Sequence, residues 1–390
     1  MSKLFTANTY IPTRVYFGVG VFEDLRAIEL PGKKALICAG PLVKKLGIIK
    51  RTESLLSQNG VESVVYDRIT PNPLRSSVME AAGLAQDSGC DFVIGLGGGS
   101  NIDAAKAVAI VLAGGGDLWN YAQVGSGGKK YVEAALPVVA ISTTAGTGTE
   151  TDPYCVITNE ETREKLDFAV DAIFPAISII DPELTLTLSK EQTVFQGFDA
   201  LFHAAECFIT NENENRLVNL YAKEAIRTVK RWLPLAAQDG NNLEARCNMA
   251  YAANILSGYT QALTSCTSHH IIAQTMGGLY QQFPHGAALL AIAEQYYLKL
   301  RRLRPGLLDQ LGTFMGVAHD SAKPGQGFVT ALVNLMEETK VRGLAMSKYG
   351  ARLEDAGKIA EITVDVVGID FEKYRLTKQD VQEIVESSFC

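Results

Sequence analysis

The chain contains five histidines, at positions 203, 269, 270, 285 and 319. The first follows an aspartate by four residues, in Gly197-Phe198-Asp199-Ala200-Leu201-Phe202-His203, a stretch whose apolar spacing predicts a helix. In a helix, residues i and i+4 share one face. A carboxylate and an imidazole placed this way can bind a divalent metal, with His270 and His285 downstream to complete a tetrahedral set. Taken alone, the pair is equally an ordinary Asp–His helix contact, and His285 in Pro284-His285-Gly286 is equally the start of a helix. Gln274 follows His270 by four residues and offers a second polar group on that face.

A second set of residues suits phosphate rather than metal. Gly95-Leu96-Gly97-Gly98-Gly99-Ser100-Asn101-Ile102-Asp103 follows a predicted strand and opens a predicted helix at Ala104–Val111. Consecutive glycines let a phosphate approach the backbone, and the first amides of a helix carry positive partial charge. A second loop, Ser142-Thr143-Thr144-Ala145-Gly146-Thr147-Gly148-Thr149-Glu150, also follows a strand, and its hydroxyls suit a pyrophosphate or a nicotinamide amide. Each loop read singly is also a plain turn. Two of them on successive strands favour dinucleotide binding. Neither is a GxGxxG fingerprint, and the GK[ST] ending of a P-loop is missing.

The elements that must carry these residues change type along the chain. Lys34 to Cys38, Ser63 to Tyr66, Asp91 to Leu96 and Leu136 to Ser142 are short, β-branched-rich runs bounded by Gly, Pro or Asp. Helical spacing separates them, as in 43–59 and 75–88. Alternating strands and helices imply a parallel, Rossmann-like α/β sheet with ligands at its carboxyl edge. From Lys190 onward the pattern reads as helix over 191–209, 215–237, 244–263, 269–280, 286–301, 325–340, 352–367 and 377–388. The glycine-rich pieces at 95–99, 114–116 and 125–128 read as loops. The expectation is an α/β domain over 1–187 and an all-α domain over 188–390, with the active site in the cleft between them.

With 390 residues, 47% hydrophobic and 20% charged, the composition is that of a packed globular protein. A formal net charge of −7 argues against a general nucleic-acid binder, which works by neutralising phosphates. No apolar run approaches the roughly 20 residues that cross a bilayer. The opening MSKLFTANTY lacks a signal-peptide core. The seven cysteines (38, 90, 155, 207, 247, 266 and 390) are odd in number and contain no CxxC pair, as expected of reduced thiols in a cytoplasm.

Taken together, these stretches resemble the iron-containing (group III) alcohol dehydrogenases, the family that includes lactaldehyde reductase and 1,3-propanediol dehydrogenase. The resemblance runs from Tyr16-Phe17-Gly18 almost to the C-terminus. It rests on Pro71-Asn72-Pro73, the loop from Gly97 to Lys106, the Thr143–Gly148 loop, Asp181-Pro182-Glu183-Leu184, Asp199-Ala200-Leu201-Phe202-His203-Ala204 and Pro284-His285-Gly286. It implies a dehydroquinate synthase-like architecture and metal ligands at Asp199, His203, His270 and His285. Cofactor contacts would fall on Asn72, Gly98, Gly99, Ser100, Asp103, Thr143, Thr144, Thr147 and Lys165, with Gly40 and Gly97 at the adjoining strand ends. The implied cofactors are Fe²⁺, with Zn²⁺ as the alternative because it binds N/O sites more tightly, and NAD or NADP. The implied assembly is a homo-oligomer, a dimer or higher.

Three departures from the family pattern stand out. Gln274 replaces a second histidine near the nicotinamide, and an amide cannot titrate. The spacer before Pro284 is one residue longer than usual. Gly40 replaces the aspartate with which NAD-specific members bond the ribose and repel a 2′-phosphate, which opens the way to NADP(H). The pocket positions are also polar: Thr147, Asp152, Tyr154, Gln261, Thr264, Ser265, Thr267 and Gln274. They lead us to expect a small alcohol or aldehyde with a second polar group, such as a diol, hydroxy acid, sulfo- or phosphono-aldehyde. The competing readings are a glycerol-dehydrogenase-like polyol oxidoreductase, the related dehydroquinate synthase branch, and a nicotinamide-binding protein without catalysis.

Overall fold

The computed structural model describes residues 9–212, 214–369 and 374–389. The first eight residues, which carry most of the export reading, and Cys390 lie outside the described residues. The chain divides into two compact units, one of Ile11–Thr187 and the other of Met1–Tyr10 with Leu188–Cys390.

In the first unit, six strands among the described residues form one parallel sheet. They are β1 (Arg14–Phe17), β2 (Lys34–Cys38), β3 (Glu62–Tyr66), β4 (Phe92–Gly97), β5 (Val138–Ser142) and β8 (Ile177–Ile180), in the order β1-β8-β5-β4-β2-β3. The inner strands β4 and β5 are buried along their whole length, which is why they read as unbroken apolar runs rather than alternating ones. The strand order reverses direction across β2 and β4, a switch point where open α/β sheets bind ligands beyond the strand ends. Register sets that edge. Gly97 pairs with Ser142, so the loops leaving β4 and β5 start side by side. A two-stranded antiparallel hairpin, β6 (Tyr154–Asn159) and β7 (Glu164–Ala169), stands apart from the sheet. Sequence patterning does not reveal β1, β8 or this hairpin.

Four helices serve this unit: α1 (Pro41–Lys45), α2 (Ile48–Gln58), α3 (Arg75–Ser88) and α4 (Gly99–Gly114). The single helix expected over 43–59 is two, because Gly47 takes φ 76°, a left-handed conformation that ends one helix and starts the next. The loop expected over 95–99 also needs correction. Its residues to Gly97 complete β4, Gly99 already belongs to α4, and only Gly98 lies between. The turn is that tight because Gly97 adopts φ 139° and Asn101 folds back to donate to the Leu96 carbonyl at 2.9 Å.

Among its described residues, the regular elements of the second unit are all helices. Its elements are α5 (Lys190–Asn211), α6 (Arg216–Gln238), α7 (Leu243–Ala250), α8 (Gly258–Leu263), α9 (Ser268–Leu279), α10 (His285–Leu303), α11 (Pro305–Phe314), α12 (Gln326–Glu338), α13 (Ala356–Glu361) and α14 (Lys378–Ser387). The helix α5 is almost entirely buried and packs on α6, α8 and α10. Sequence patterning missed α11. The continuous helix expected over 244–263 instead contains a π-helical stretch, Tyr251–Ser257. There Ser257 donates to the Ala200 carbonyl of α5 at 2.9 Å, so packing against the neighbour fixes the wider turn. The helix expected from 352 begins only at 356, after a 3₁₀ turn, and its last part, Ile362–Val367, is again π-helical. None of the described helices is long and apolar enough to cross a membrane.

Candidate metal centre and dinucleotide-binding loops

The helix α5 begins with a capping box in which Ser189 and Gln192 satisfy each other's backbone amides. This start fixes the phase of the buried stripe Asp199, His203 and Glu206, spaced i, i+4 and i+7. Two other helices bring the remaining imidazoles. His270 lies in the first turn of α9, and His285 is the first residue of α10. Gly286 permits the approach of α10: a Cβ there would stand 2.5 Å from the Phe195 carbonyl oxygen of α5.

The three imidazoles converge on a single carboxylate oxygen. Asp199 Oδ1 lies 3.6 Å from His203 Nδ1, 3.4 Å from His270 Nε2 and 3.7 Å from His285 Nε2. Asp199, His203 and His270 are buried, whereas the His285 side chain is 28% exposed and marks the open side of the cluster. His269 points elsewhere. Its Nε2 lies 3.0 Å from the Leu289 carbonyl oxygen, and its ring stacks on Tyr296 within the core.

Below the cluster lies a second carboxylate that sequence reasoning overlooked. Glu206 Oε1 is 2.6 Å from His270 Nδ1 and 3.2 Å from His269 Nδ1. Its other oxygen accepts the Thr267 amide at 2.8 Å, the Thr267 hydroxyl at 2.6 Å and the His270 amide at 3.3 Å. Glu206 thus caps α9 from a neighbouring helix and, through the same contacts, holds Nε2 of His270 toward Asp199. The signal was present in the sequence, three residues after His203 on the same stripe.

The electrostatics match a site built for a cation. Burial pushes Asp199 up, but His203, His270 and His285 together hold it well below the usual carboxylate range. Glu206 behaves alike, opposed by burial and held down by His270 and His269. Burial alone lowers His270, yet Glu206 and Asp199 more than reverse this and raise it to about 10. Two ionised carboxylates in a buried pocket demand positive charge. The donor set of three imidazoles and one carboxylate is that of zinc-like and iron-like centres. Ligands 2.0–2.1 Å from a tetrahedral ion stand about 3.4 Å from one another, close to the spacings around Asp199 Oδ1. The residues fit a divalent metal.

In the first unit, the two glycine-bearing loops pack against each other. A Cβ on Gly98 would meet the Thr144 side chain at 2.9 Å, and one on Gly99 would meet that of Thr147 at 2.6 Å. The Thr143 amide donates to the Gly97 carbonyl at 2.9 Å. Ser100 falls in the first turn of α4. Lys165 on β7 donates to Asn72 Oδ1 at 2.8 Å, in a segment tied to the hairpin by the Thr158 amide bonding the Pro73 carbonyl. Gly97–Ser100, Thr143, Thr144 and Thr147 therefore sit together at the carboxyl edge of the sheet, and Asn72 and Lys165 form a contact of their own.

Three of the expected site residues also bond within the protein. Asp103 is occupied by the protein: one oxygen accepts the Thr149 hydroxyl at 2.8 Å and the other the Val156 amide at 3.0 Å. These two bonds tie α4 to the second loop and the hairpin. Asp152 is likewise engaged by the wholly buried Lys106, whose Nζ reaches Asp152 Oδ1 at 3.1 Å, the Asp152 and Tyr154 carbonyls at 2.8 Å and the Thr149 hydroxyl at 2.8 Å. Thr267 belongs to Glu206.

Residues 12–182 match the family model described as iron-containing alcohol dehydrogenase, and residues 193–389 match the C-terminal model of the same family. The chain is 35% identical to a 1,3-propanediol dehydrogenase of Citrobacter freundii over 313 residues, 78% of each chain. It is 28% identical to an NAD-dependent methanol dehydrogenase of Bacillus methanolicus, over 98% of this chain and 99% of that one. Among solved structures, an archaeal halo-thermophilic alcohol dehydrogenase from a Red Sea brine pool superposes with a TM-score of 0.92 at 28% identity, over 99% of both chains. The fold is that of a two-unit dehydrogenase, with a parallel α/β sheet unit followed by a helical unit. The chain belongs to the iron-containing alcohol dehydrogenase family and is an oxidoreductase acting on CH–OH groups.

Proposed function

We propose that the protein is a divalent-metal-dependent alcohol dehydrogenase or aldehyde reductase in which Asp199, His203, His270 and His285 hold the ion. The convergence of three imidazole nitrogens within 3.4–3.7 Å of one Asp199 oxygen carries this reading. When bound, the ion supplies Lewis-acid polarisation of the substrate oxygen, and the nicotinamide supplies the hydride acceptor or donor. The chain's own part is positional. Asp199 offers the one anionic ligand, Glu206 orients His270, and the partly exposed His285 borders the side by which a substrate enters. The amides that open α4, with Thr143, Thr144 and Thr147 beside them, suit a pyrophosphate.

The ion is read as Fe²⁺ from the family, with Zn²⁺ as the competitor that supply decides. Both NAD(H) and NADP(H) are read as usable, because position 40 carries no acidic side chain to repel a 2′-phosphate. The substrate reading is a small alcohol or aldehyde with a second polar group. It is supported by Gln274, one helical turn from His270, and by Thr264 and Ser265 next to Cys266 on the strand of chain that enters α9. Gln274 bonds without titrating, so it can orient a substrate hydroxyl but cannot relay its proton. The six described cysteines form no disulfide with one another, which suits a reducing cytoplasm. A homo-oligomer is inferred from the family and is checked by light scattering.

The test combines metal analysis with kinetics. His203→Ala and His285→Ala are each expected to lose bound metal and roughly a thousandfold in kcat/KM while still binding dinucleotide. Full metal occupancy in both variants refutes the ligand assignment. For the wild type, kcat/KM for 1,2- and 1,3-diols, hydroxy acids and a sulfonated two-carbon aldehyde should exceed that for ethanol and butanol. Best turnover of the plain alcohols removes the polar-substrate reading.

A further inference from the structure

Cys266 stands four residues before His270, on the segment that leads into α9. Its Sγ and one ring nitrogen from each of His203 and His270 all lie within 4.8 Å of one another. The same separation limit holds for donor atoms of Asp199, His270 and His285. Two donor triads therefore overlap on His270, one of nitrogen and oxygen, the other of nitrogen and sulfur. Cys266 also makes a side-chain hydrogen bond with Cys207, the residue that follows Glu206 on α5. Cys266 is only partly buried and Cys207 is fully buried, so the outer thiol is the one with room to turn.

Sulfur changes what the pocket prefers. Carboxylate and imidazole donors alone separate Fe²⁺ from Zn²⁺ or Co²⁺ weakly, whereas a thiolate favours the softer ion. We propose that Cys266 is an additional ligand of this metal centre, binding through Sγ beside His203 and His270. The inference rests on the metal-site reading given above. On binding, the Cys266 S–H bond breaks, an Sγ–metal bond forms and the proton passes to solvent; no electrons are transferred. The Cys207 thiol is the resting partner of Cys266 and takes no part in coordination.

Cobalt(II) makes the contact visible, because thiolate ligation gives a charge-transfer absorption in the near ultraviolet that nitrogen and oxygen ligands do not. Metal-depleted full-length protein is titrated with Co²⁺ alone, and both the spectrum and the bound-cobalt stoichiometry are read. The expected result is one cobalt per chain with the thiolate band in wild type and Cys207→Ser. In Cys266→Ser and Cys266→Ala the cobalt should remain bound while the band disappears. Cobalt bound by wild type without the band overturns the proposal and leaves the Asp199–histidine centre standing. Persistence of the band in both Cys266 variants also overturns it. Failure of wild type to bind cobalt at all refutes the metal-site reading, and the proposal with it.

Discussion

Glu206 Oε1 lies 2.6 Å from Nδ1 of His270, and the same carboxylate's other oxygen receives the amide of His270. One side chain on α5 thus sets both the start of α9 and the orientation of the imidazole that faces Asp199. A metal-binding histidine depends on such a partner, because the group on its other nitrogen fixes tautomer and ring angle. Glu206→Gln should weaken metal affinity by about 10- to 100-fold, measured by competition against a chelator. Unchanged affinity would show that the packing of α9 alone orients His270.

Lys106 is wholly buried and meets four oxygens, one of them on the buried Asp152 carboxylate. Removing one member of such a pair strands the other charge. Lys106→Met is expected to destabilise the protein by about 3–5 kcal/mol in urea unfolding. Adding Asp152→Asn should restore part of that loss by removing the stranded charge. A double variant as unstable as the sum of the two singles would assign the loss to packing rather than charge.

Glu150 is fully buried and accepts a hydrogen bond from the Ser142 hydroxyl. Burial raises it from an ordinary value of 4.5 to about 7, with the Ser142 bond pulling the other way. Because the folded value is the higher one, its contribution to stability is fully present below about pH 4.5. That contribution is lost as pH rises through about 7, where a buried carboxyl must ionise. Glu150→Gln has no proton to lose. The stability of this variant relative to wild type should therefore climb between pH 4.5 and 7, by roughly 3 kcal/mol, and level off above. A series of Tm measurements against pH gives the comparison; a difference independent of pH contradicts the burial argument.

Gly40 is more than a position without a carboxylate. A Cβ there would lie 2.7 Å from the backbone carbonyl oxygen of Ile69, a contact that a rotamer change cannot relieve. Installing an aspartate to impose NAD specificity would therefore shift the backbone where β2 runs into α1. Gly40→Asp is expected to lower Tm and to weaken NADH and NADPH together in fluorescence titrations. Selective loss of NADPH with Tm unchanged would show that the strand end yields more easily than the 2.7 Å approach indicates.

What the sequence determined by itself follows from local periodicity. The parallel sheet was legible because strands buried on both faces must be continuously apolar, as Phe92–Gly97 and Val138–Ser142 are. The sharing of one face by Asp199 and His203 was legible because helix geometry fixes i and i+4 without reference to anything else. Gly47 could have announced the break between α1 and α2, but a glycine within a helical pattern does not reveal whether its φ is positive. The edge strands β1 and β8 and the hairpin escaped because they are short and take their meaning from partners far along the chain.

Tertiary structure decided the rest, for the physical reason that burial and pairing are relations between distant residues. His269 and His270 are adjacent in sequence, and only the packing of α9 beneath Glu206 turns one toward the Leu289 carbonyl and the other toward Asp199. Spacing gives no sign that Thr149 and Val156 bond Asp103, or that Lys106 bonds Asp152. Cys266 looked like one of several inert thiols until the fold placed its sulfur beside His203 and His270. Spacing along a chain gives the face on which a side chain lies. The partner that meets it there is chosen by how the helices pack.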